Sequence, residues 1–341
     1  MTDACRQFVL ASRTVGKVKE SDLRLEVVDQ PEPAAGEFLV RNEYYSLDPS
    51  MKGLMEGSTD YRAPLAIGSV MTCRTVGTIV ESKHADYPVG AQVFGFLGMS
   101  DYTVTDGERI PVHWYRQPVN PEAALGVLGG TGMTAYFGLT DIGAPVSGDV
   151  LVVSGAAGAT GSVAGQIGKI MGCRVIGIAG SPEKCRTLET RLGFDATINY
   201  KTENVGAALD RLCPDGINIY FDNVGGDILD ECLDRLALHA RVVLCGGISH
   251  YNLEHKPPGP SNYFNLVFRR AKMQGFLLSD YLSEADTARQ TLRDWFESGE
   301  LVQLSTVVDG FESLPNALVK LFDGYNTGKM MVRNDHVVEN S

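Results

Sequence analysis

The sequence predicts an α/β protein: a doubly wound, Rossmann-type nucleotide domain joined to a second, all-β domain. Three observations predict it. The stretch Val150–Gly180, VLVVSGAAGATGSVAGQIGKIMGCRVIGIAG, reads strand, glycine turn, helix, strand, the unit that cradles a pyrophosphate. Before about residue 125 the chain shows short alternating segments punctuated by Pro and Gly, and from about Leu128 helix and strand alternate. A length of 341 residues accommodates two domains. We expect residues 1–125, with a returning tail 305–341, to form the β domain, and residues 126–304 the nucleotide domain.

In the β domain the alternating segments are Gln7–Ser12, Leu23–Val28, Glu37–Ser46, Thr75–Ser82 and Gln92–Phe96, separated by turn-forming stretches such as PEPAAGE and YPVGAQV. After the Val150–Gly180 unit we expect a helix in Pro182–Leu192, a strand at Ala196–Asn199 and a helix in Asn204–Cys213. Strand Ile217–Asp222, a helix from Asp227 and strand Ala240–Gly246 follow. A last strand near Met273–Leu278 precedes a helix at Glu284–Ser298. Six strands with intervening helices fit a doubly wound sheet. Strand-like Met330–Arg333 lies in the tail.

Gly155, Gly158 and Gly161 recur at a spacing of three. Gly155 and Gly158, with Ala156 and Ala157 between them, leave room for backbone to turn and approach phosphates. The N–H groups at the following helix start face the anion. Gly161, Gly165 and Gly168 let that helix lie close to the sheet. A site for NAD usually carries an acid about 20 residues on, to hold the ribose 2′-OH. Here that point reads Ile178-Ala179-Gly180-Ser181, and Lys184 and Arg186 follow within a turn. Glu183 is an alternative partner for a 2′-OH, although it equally suits the first helical turn after Pro182. The balance favours NADP over NAD.

A formal charge of −12 and a pI near 5.0, with no basic cluster interleaved with aromatics, exclude a nucleic-acid face. No apolar run approaches the ~20 residues of a membrane span, and MTDACRQFVLASRTVGK lacks a signal-peptide core. Cys5, Cys73, Cys173, Cys185, Cys213, Cys232 and Cys245 are scattered without a C-x-x-C pair, as expected of reduced, buried thiols in a cytoplasmic protein.

Several ordered strings together carry a resemblance. They are SLDPSMKG (Ser46–Gly53), GMTAYFGL (Gly132–Leu139), VSGAAGATGSVAGQIG (Val153–Gly168), AGSPEKC (Ala179–Cys185), LGFDATINYK (Leu192–Lys201), FDNVGG (Phe221–Gly226), CGGISHYN (Cys245–Asn252) and NTGKMMV (Asn326–Val332). From about Phe8 to Val332 the chain resembles the medium-chain dehydrogenase/reductases, and within them the zinc-independent prostaglandin reductase and NADPH-dependent curcumin reductase group. The resemblance implies a GroES-like β-barrel catalytic domain beside the Rossmann domain. It also implies NADPH-dependent, metal-free reduction of the carbon–carbon double bond of α,β-unsaturated ketones and aldehydes. Implied cofactor contacts are Gly155, Ala156, Ala157, Gly158, Gly161, Lys184, Tyr200, Asn223, Cys245, Gly246, Gly247, Ile248, Ser249, Tyr251 and Asn326. Met99, Met133, Leu277 and Leu278 would form an apolar substrate wall, with Tyr61 and Tyr251 lining the site. The group commonly joins the last sheet edges across a two-fold axis, so a homodimer is expected; an unpaired apolar edge near Met273–Leu278 would be hazardous in a monomer.

Zinc-dependent members of the superfamily carry a Gly-His-Glu string before the strand here at Gly77–Ser82, where this chain has Thr72-Cys73-Arg74, and no four-cysteine cluster lies in Leu97–Pro111. His84, His113, His239, His250, His255 and His336 show no ligand spacing. We expect no metal. Conjugate reduction then needs a hydrogen-bond donor for the carbonyl oxygen as it gains negative charge. Tyr251, just after a nucleotide-domain strand, is assigned orientation and oxyanion stabilisation, with Tyr61 as a second candidate. Two competing readings are a zinc-free quinone reductase and a non-catalytic nucleotide-binding protein. GGISHYN and SLDPSMKG favour the reductase of enones and enals.

Overall fold

Alternation in the first part of the chain becomes strands in the computed structural model, which describes residues 4–57, 63–253 and 257–338. These are β1 (Ala4–Leu10), β2 (Leu23–Asp29), β3 (Phe38–Ser46), β4 (Thr75–Ser82), β5 (Gln92–Gly95), β6 (Tyr102–Thr105) and β7 (Val112–Tyr115). The nucleotide region then supplies β8 (Val150–Val153), β9 (Arg174–Ala179), β10 (Ala196–Asn199), β11 (Ile217–Asp222), β12 (Leu236–Leu244) and β13 (Lys272–Gly275), and the tail adds β14 (Ser305–Asp309) and β15 (Lys329–Arg333). The chain divides into two compact units, Met1–Leu125 with Ser305–Ser341, and Gly126–Leu304.

In the first unit, β1 and β2 form their own antiparallel pair. The larger sheet runs β14-β15-β3-β4-β5-β7, with β6 also paired to β3. Its core gathers Phe8, Leu10, Tyr45, Met71, Phe311, Leu318, Met330 and Val332. β6 and β7 were not expected from sequence, because four residues with only one buried position each are too short to show alternation. β14 has no fully buried residue, and it too escapes a pattern search. The helix Met51–Glu56, which begins within SLDPSMKG and runs past it, was likewise unexpected.

The returning tail is tied in by polar contacts. β15 lies parallel to β14 and antiparallel to β3, with Met331 opposite Ser46. Lys329 is 1% exposed, and its Nζ donates to the Leu47 carbonyl at 2.8 Å and to Asp48 Oδ1 at 2.6 Å. Ser46 Oγ donates to Asp48 Oδ2 at 2.7 Å. Burial pushes the Asp48 carboxyl up, but Lys329 and Arg74 outweigh it and hold the group down at about 2. A few residues on, Asn334 Nδ2 reaches Tyr45 Oη at 2.8 Å and Asp101 Oδ1 at 2.9 Å.

The second unit is a six-stranded sheet in the order β10-β9-β8-β11-β12-β13, parallel throughout. Chain order reverses on either side of β8, so its carboxyl end and that of β11 flank the crevice where such sheets bind ligands. Glycines set the approach of the helix Ala159–Ile170: a Cβ at Gly165 would lie 1.9 Å from Phe194 Cζ, and one at Gly168 2.4 Å from Leu151 Cδ2. Two boundaries correct the sequence reading. β12 begins at Leu236, not Ala240, because a bulge with His239 in the left-handed region (φ 62°) lets two short runs join one strand. β13 ends at Gly275, so Leu277 and Leu278 lie beyond the sheet rather than in it.

The Lys329–Asp48 pair generates a stability prediction. Asp48→Asn leaves a buried ammonium without its counter-charge, which costs about 3–5 kcal/mol and lowers the urea midpoint. Because the folded-state value of Asp48, about 2, lies below its ordinary 3.8, its contribution is complete above about pH 4 and is lost as pH falls toward 2. Wild type and variant should therefore differ at pH 7 and converge in acid. Equal midpoints at pH 7 would remove the pair from the account of how the tail is held.

Candidate active site

Strand β8 ends at Val153, Ser154 follows it, and Gly155 then takes a left-handed conformation (φ 57°). Its hypothetical Cβ would sit 3.3 Å from Asn223 Cβ. Gly158 caps the helix Ala159–Ile170 in extended conformation, and its N–H bonds the Gly155 carbonyl at 2.9 Å. A Cβ at Gly161 would lie 2.4 Å from the Gly155 carbonyl oxygen, so the third glycine lets the turn close on the helix. The first N–H groups of that helix have no carbonyl partner within it and give the turn a positive rim.

At the end of β9, Ser181 Oγ accepts the Lys184 N–H at 3.3 Å and starts the helix Pro182–Leu192. The Glu183 carboxylate is taken up at this helix start: its own backbone N–H and the Ser181 hydroxyl hold it below the usual carboxylate range. Lys184 is half-buried, and burial, followed by the like charge of Lys201, pushes its pKa down. Tyr200, at the end of β10, packs on Gly180, where a Cβ would meet ring atoms at 2.9 Å. Lys201 was not singled out from sequence, although it adjoins Tyr200 in the string INYK.

The end of β11 is organised by Asp222, which is buried. Its Oδ1 accepts Ser154 Oγ at 2.8 Å, Tyr220 Oη at 2.7 Å, and the Val224 and Gly225 N–H groups, both at 3.0 Å. Asn223 closes the link to β8: its N–H donates to Ser154 Oγ at 2.9 Å, and its Nδ2 to the Ser154 carbonyl at 2.8 Å. Neither Asp222 nor Ser154 was singled out from sequence. The signal available was an acid ending the apolar run INIYFD, an unusual place for a charge without buried donors.

Beyond β12, Cys245 and Gly246 donate their N–H groups to the Asp222 carbonyl at 2.9 and 3.1 Å. Ile248 and Ser249 donate theirs to Asn223 and Val224 at 3.2 and 3.1 Å. Close packing needs glycine at Gly225, which has φ 72° and whose Cβ would lie 3.0 Å from His250 Cε1. The Tyr251 hydroxyl comes back over the strand end, accepting the Gly247 N–H at 3.5 Å. Burial pushes the Cys245 thiol up to about 12, so it stays protonated.

The remaining residues fall elsewhere. Met133 is buried on the helix Gly130–Phe137, with Arg289 Nη2 3.9 Å from its sulfur. Leu277 and Leu278 follow β13 in the same unit, Leu277 exposed and Leu278 half-buried. In the other unit, Met99 is 0% exposed and packed in the core with Phe8 and Met71, so its contribution there is packing. Asn326 turns the chain before β15, its Nδ2 donating to the Gly328 carbonyl at 2.6 Å. Tyr61 lies outside the described residues. Thr72-Cys73-Arg74 carries a buried thiol pushed far above its ordinary value by burial and by Asp48. Among the described residues no three His, Cys, Asp or Glu side chains converge as metal ligands.

A glycine turn on a helix N-terminus, with Lys184 and Lys201 close enough to feel each other's charge and Glu183 held by its own N–H and Ser181, fits a 2′-phosphorylated dinucleotide. The comparisons agree. Residues 6–112 match a family described as the N-terminal domain of oxidoreductase, and residues 159–297 one described as zinc-binding dehydrogenase. NADPH-dependent curcumin reductase of Escherichia coli K12 is 40% identical over 333 residues, 96% of each chain. The NADP-dependent 2-alkenal reductase of Nicotiana tabacum is 38% identical over 335 residues, again 96% of each. The crystal structure of CurA from Vibrio vulnificus in complex with NADPH superposes with a TM-score of 0.91 at 43% identity, covering 97% of this chain and 99% of that one. The chain belongs to the zinc-independent medium-chain dehydrogenase/reductases, in the group that contains the curcumin, 2-alkenal and prostaglandin reductases.

Proposed function

We propose that this protein uses NADPH to reduce the carbon–carbon double bond of α,β-unsaturated aldehydes and ketones. The observation that carries the reading is the meeting of two features on either side of the β11 end: the glycine turn after β8 and the Tyr251 turn after β12, both fixed by Asp222. Relatives with reductase names over nearly their whole length support it. When bound, NADPH supplies the hydride. The Gly155–Gly158 turn and the helix start receive the pyrophosphate, and Lys184 with Lys201 the 2′-phosphate. Tyr200, Asn223 and the Cys245–Ser249 turn complete the cradle on this reading.

Tyr251 accepts the Gly247 N–H at 3.5 Å, and its O–H is assigned here to the substrate carbonyl oxygen. Aimed at the substrate carbonyl oxygen, that O–H grows stronger as negative charge collects there during reduction. A phenol whose ordinary pKa is near 10 is a good donor at neutral pH and a reluctant acid. Its role is therefore orientation and charge stabilisation. Met133, Leu277 and Leu278 would hold the apolar part of the substrate. A panel of enones, enals, quinones and alcohols, scored by NADPH absorbance with products identified by mass, tests the reading. Turnover of quinones alone would replace it with a quinone reductase.

The protein is proposed to act in the cytoplasm as a homodimer. Seven thiols in no disulfide suit a reducing compartment. Beyond β12, β13 has no second neighbour in its sheet, and nearby Val267 and Phe268 are 61% and 64% exposed, a combination that invites strand pairing. Light scattering at micromolar concentration should give twice the 36.9 kDa chain mass; the monomer mass would sink the dimer.

Two variants test the site. Lys184→Ala should weaken NADPH binding by about 1–3 kcal/mol, the scale of a charge-assisted contact, while NADH binding barely changes. Equal losses for both cofactors in calorimetry would show that Lys184 does not read the 2′-phosphate. Tyr251→Phe should keep NADPH affinity and lower the single-turnover rate of enone reduction by roughly 10- to 1,000-fold. An unchanged rate at saturating enone would reduce Tyr251 to a packing residue.

A further inference from the structure

The segment carrying Leu277 and Leu278 leaves the sheet at Gly275 and runs through a short 3-10 helix, Leu278–Glu284. Leu277 is 41% exposed, and nothing in its own short-range hydrogen bonds fixes it to the rest of the unit: Asp280 N–H donates back to the Leu277 carbonyl at 3.0 Å. Three contacts made by its neighbours supply that fixation. The Phe276 ring fills a notch left by Gly138, where a Cβ would lie 2.6 Å from Phe276 Cζ. The Tyr281 ring stacks on Phe137, with centroids 4.5 Å apart and planes 17° apart. The Tyr281 hydroxyl donates to Asp141 Oδ2 at 2.6 Å.

All three partners lie within five residues of one another, where the helix Gly130–Phe137 continues as a π-helix, Gly138–Gly143. Single π-turns are rare and recur at functional sites. The far end of this one is pinned to the sheet. Arg241 of β12 donates from Nε to the Gly143 carbonyl at 2.8 Å and from Nη2 to the Ala144 carbonyl at 3.0 Å, and it pairs with Asp149. Met133 sits one turn before Phe137 on the same helix. Both apolar elements that this unit offers to a substrate, Met133 and the Leu277–Leu278 pair, are thus referred to one rigid support.

We propose that the Tyr281–Asp141 hydrogen bond is a specificity-determining positioning contact, which docks residues 276–284 on the π-helix so that Leu277 and Leu278 stand as a fixed wall for the apolar tail of the enone or enal. This rests on the reductase reading above. The bond depends on a protonated phenol, and burial together with Asp141, Asp280 and Glu284 pushes the Tyr281 hydroxyl up to about 12. Its removal leaves the ring stack and the Gly138 notch in place, so the segment loosens without unfolding the unit.

The test uses Tyr281→Phe, Asp141→Ala and Asp141→Asn, the last retaining an acceptor for the hydroxyl. Hydrogen–deuterium exchange of amides 277–284 is followed in the protein without substrate. kcat and KM are measured with NADPH for 2-butenal and 2-nonenal, which differ only in tail length. Tyr281→Phe and Asp141→Ala should exchange faster in the segment and raise KM for 2-nonenal by about 3- to 10-fold, the scale of one lost hydrogen bond. KM for 2-butenal, both kcat values and NADPH affinity should hold, and Asp141→Asn should behave as wild type. Unchanged exchange, or a KM rise equal for the two enals, overturns the proposal while the reductase reading stands. Wild-type protein inert toward both enals overturns the two together.

Discussion

Asp222 accepts hydrogen bonds from two hydroxyls and two backbone N–H groups, and its own carbonyl accepts two more N–H groups from the chain beyond β12. A carboxylate in the interior is costly unless it is met this fully. Because its donors come from the residue after β8, from β11 and from the turn after β11, the cost of leaving any one of them out is transmitted to all. The glycine turn is aligned through Ser154 and the turn before Gly226 through Val224. The segment carrying Tyr251 is then laid on that turn by Ile248 and Ser249. What looks like three separate loops is one hydrogen-bonded edge.

The same logic divides what was legible in the sequence from what was not. The parallel sheet was legible because its central strands β8, β9 and β11 are buried on both faces and read as apolar runs, and because the glycines have no other role that needs a spacing of three. β6, β7 and β14 were not, since each is short and half-buried, and their pairing depends on β3, β5 and β15 far away in the chain. β12 was misread at its start because the irregularity around His239, where two steps along β11 face five along β12, breaks the period-two pattern.

Site residues divide in a similar way. Lys184 was proposed from local order, as a basic residue after a strand lacking an acid, and the Cys245–Tyr251 string through the resemblance alone. Asp222 and Lys201 were passed over because their roles arise from neighbours supplied by other strands: the donors around Asp222, and the shared charge beside Lys184. Met99 illustrates the converse. Its apolar character suits a substrate wall and a core equally, and only the fold decides between them; here the side chain is packed among Phe8, Met71 and Tyr45.

The pairing of β15 with β3 has a consequence for how the molecule comes into being. The nucleotide unit is one uninterrupted stretch, and every hydrogen-bonded neighbour of its six strands is present once residue 304 has left the ribosome. The β unit has to wait. Until Lys329 is synthesised, Asp48 lacks its buried counter-charge, and the Tyr44–Ser46 end of β3, beyond its pairing with β6, has no strand beside it on that edge. Translation order thus imposes a folding order, with the cofactor-binding half complete while the other half stays open. A nascent chain stalled within the last few dozen residues would carry a finished nucleotide sheet beside an unpaired β edge, the form in which a quality-control protease or a chaperone that recognises bare strands would meet it.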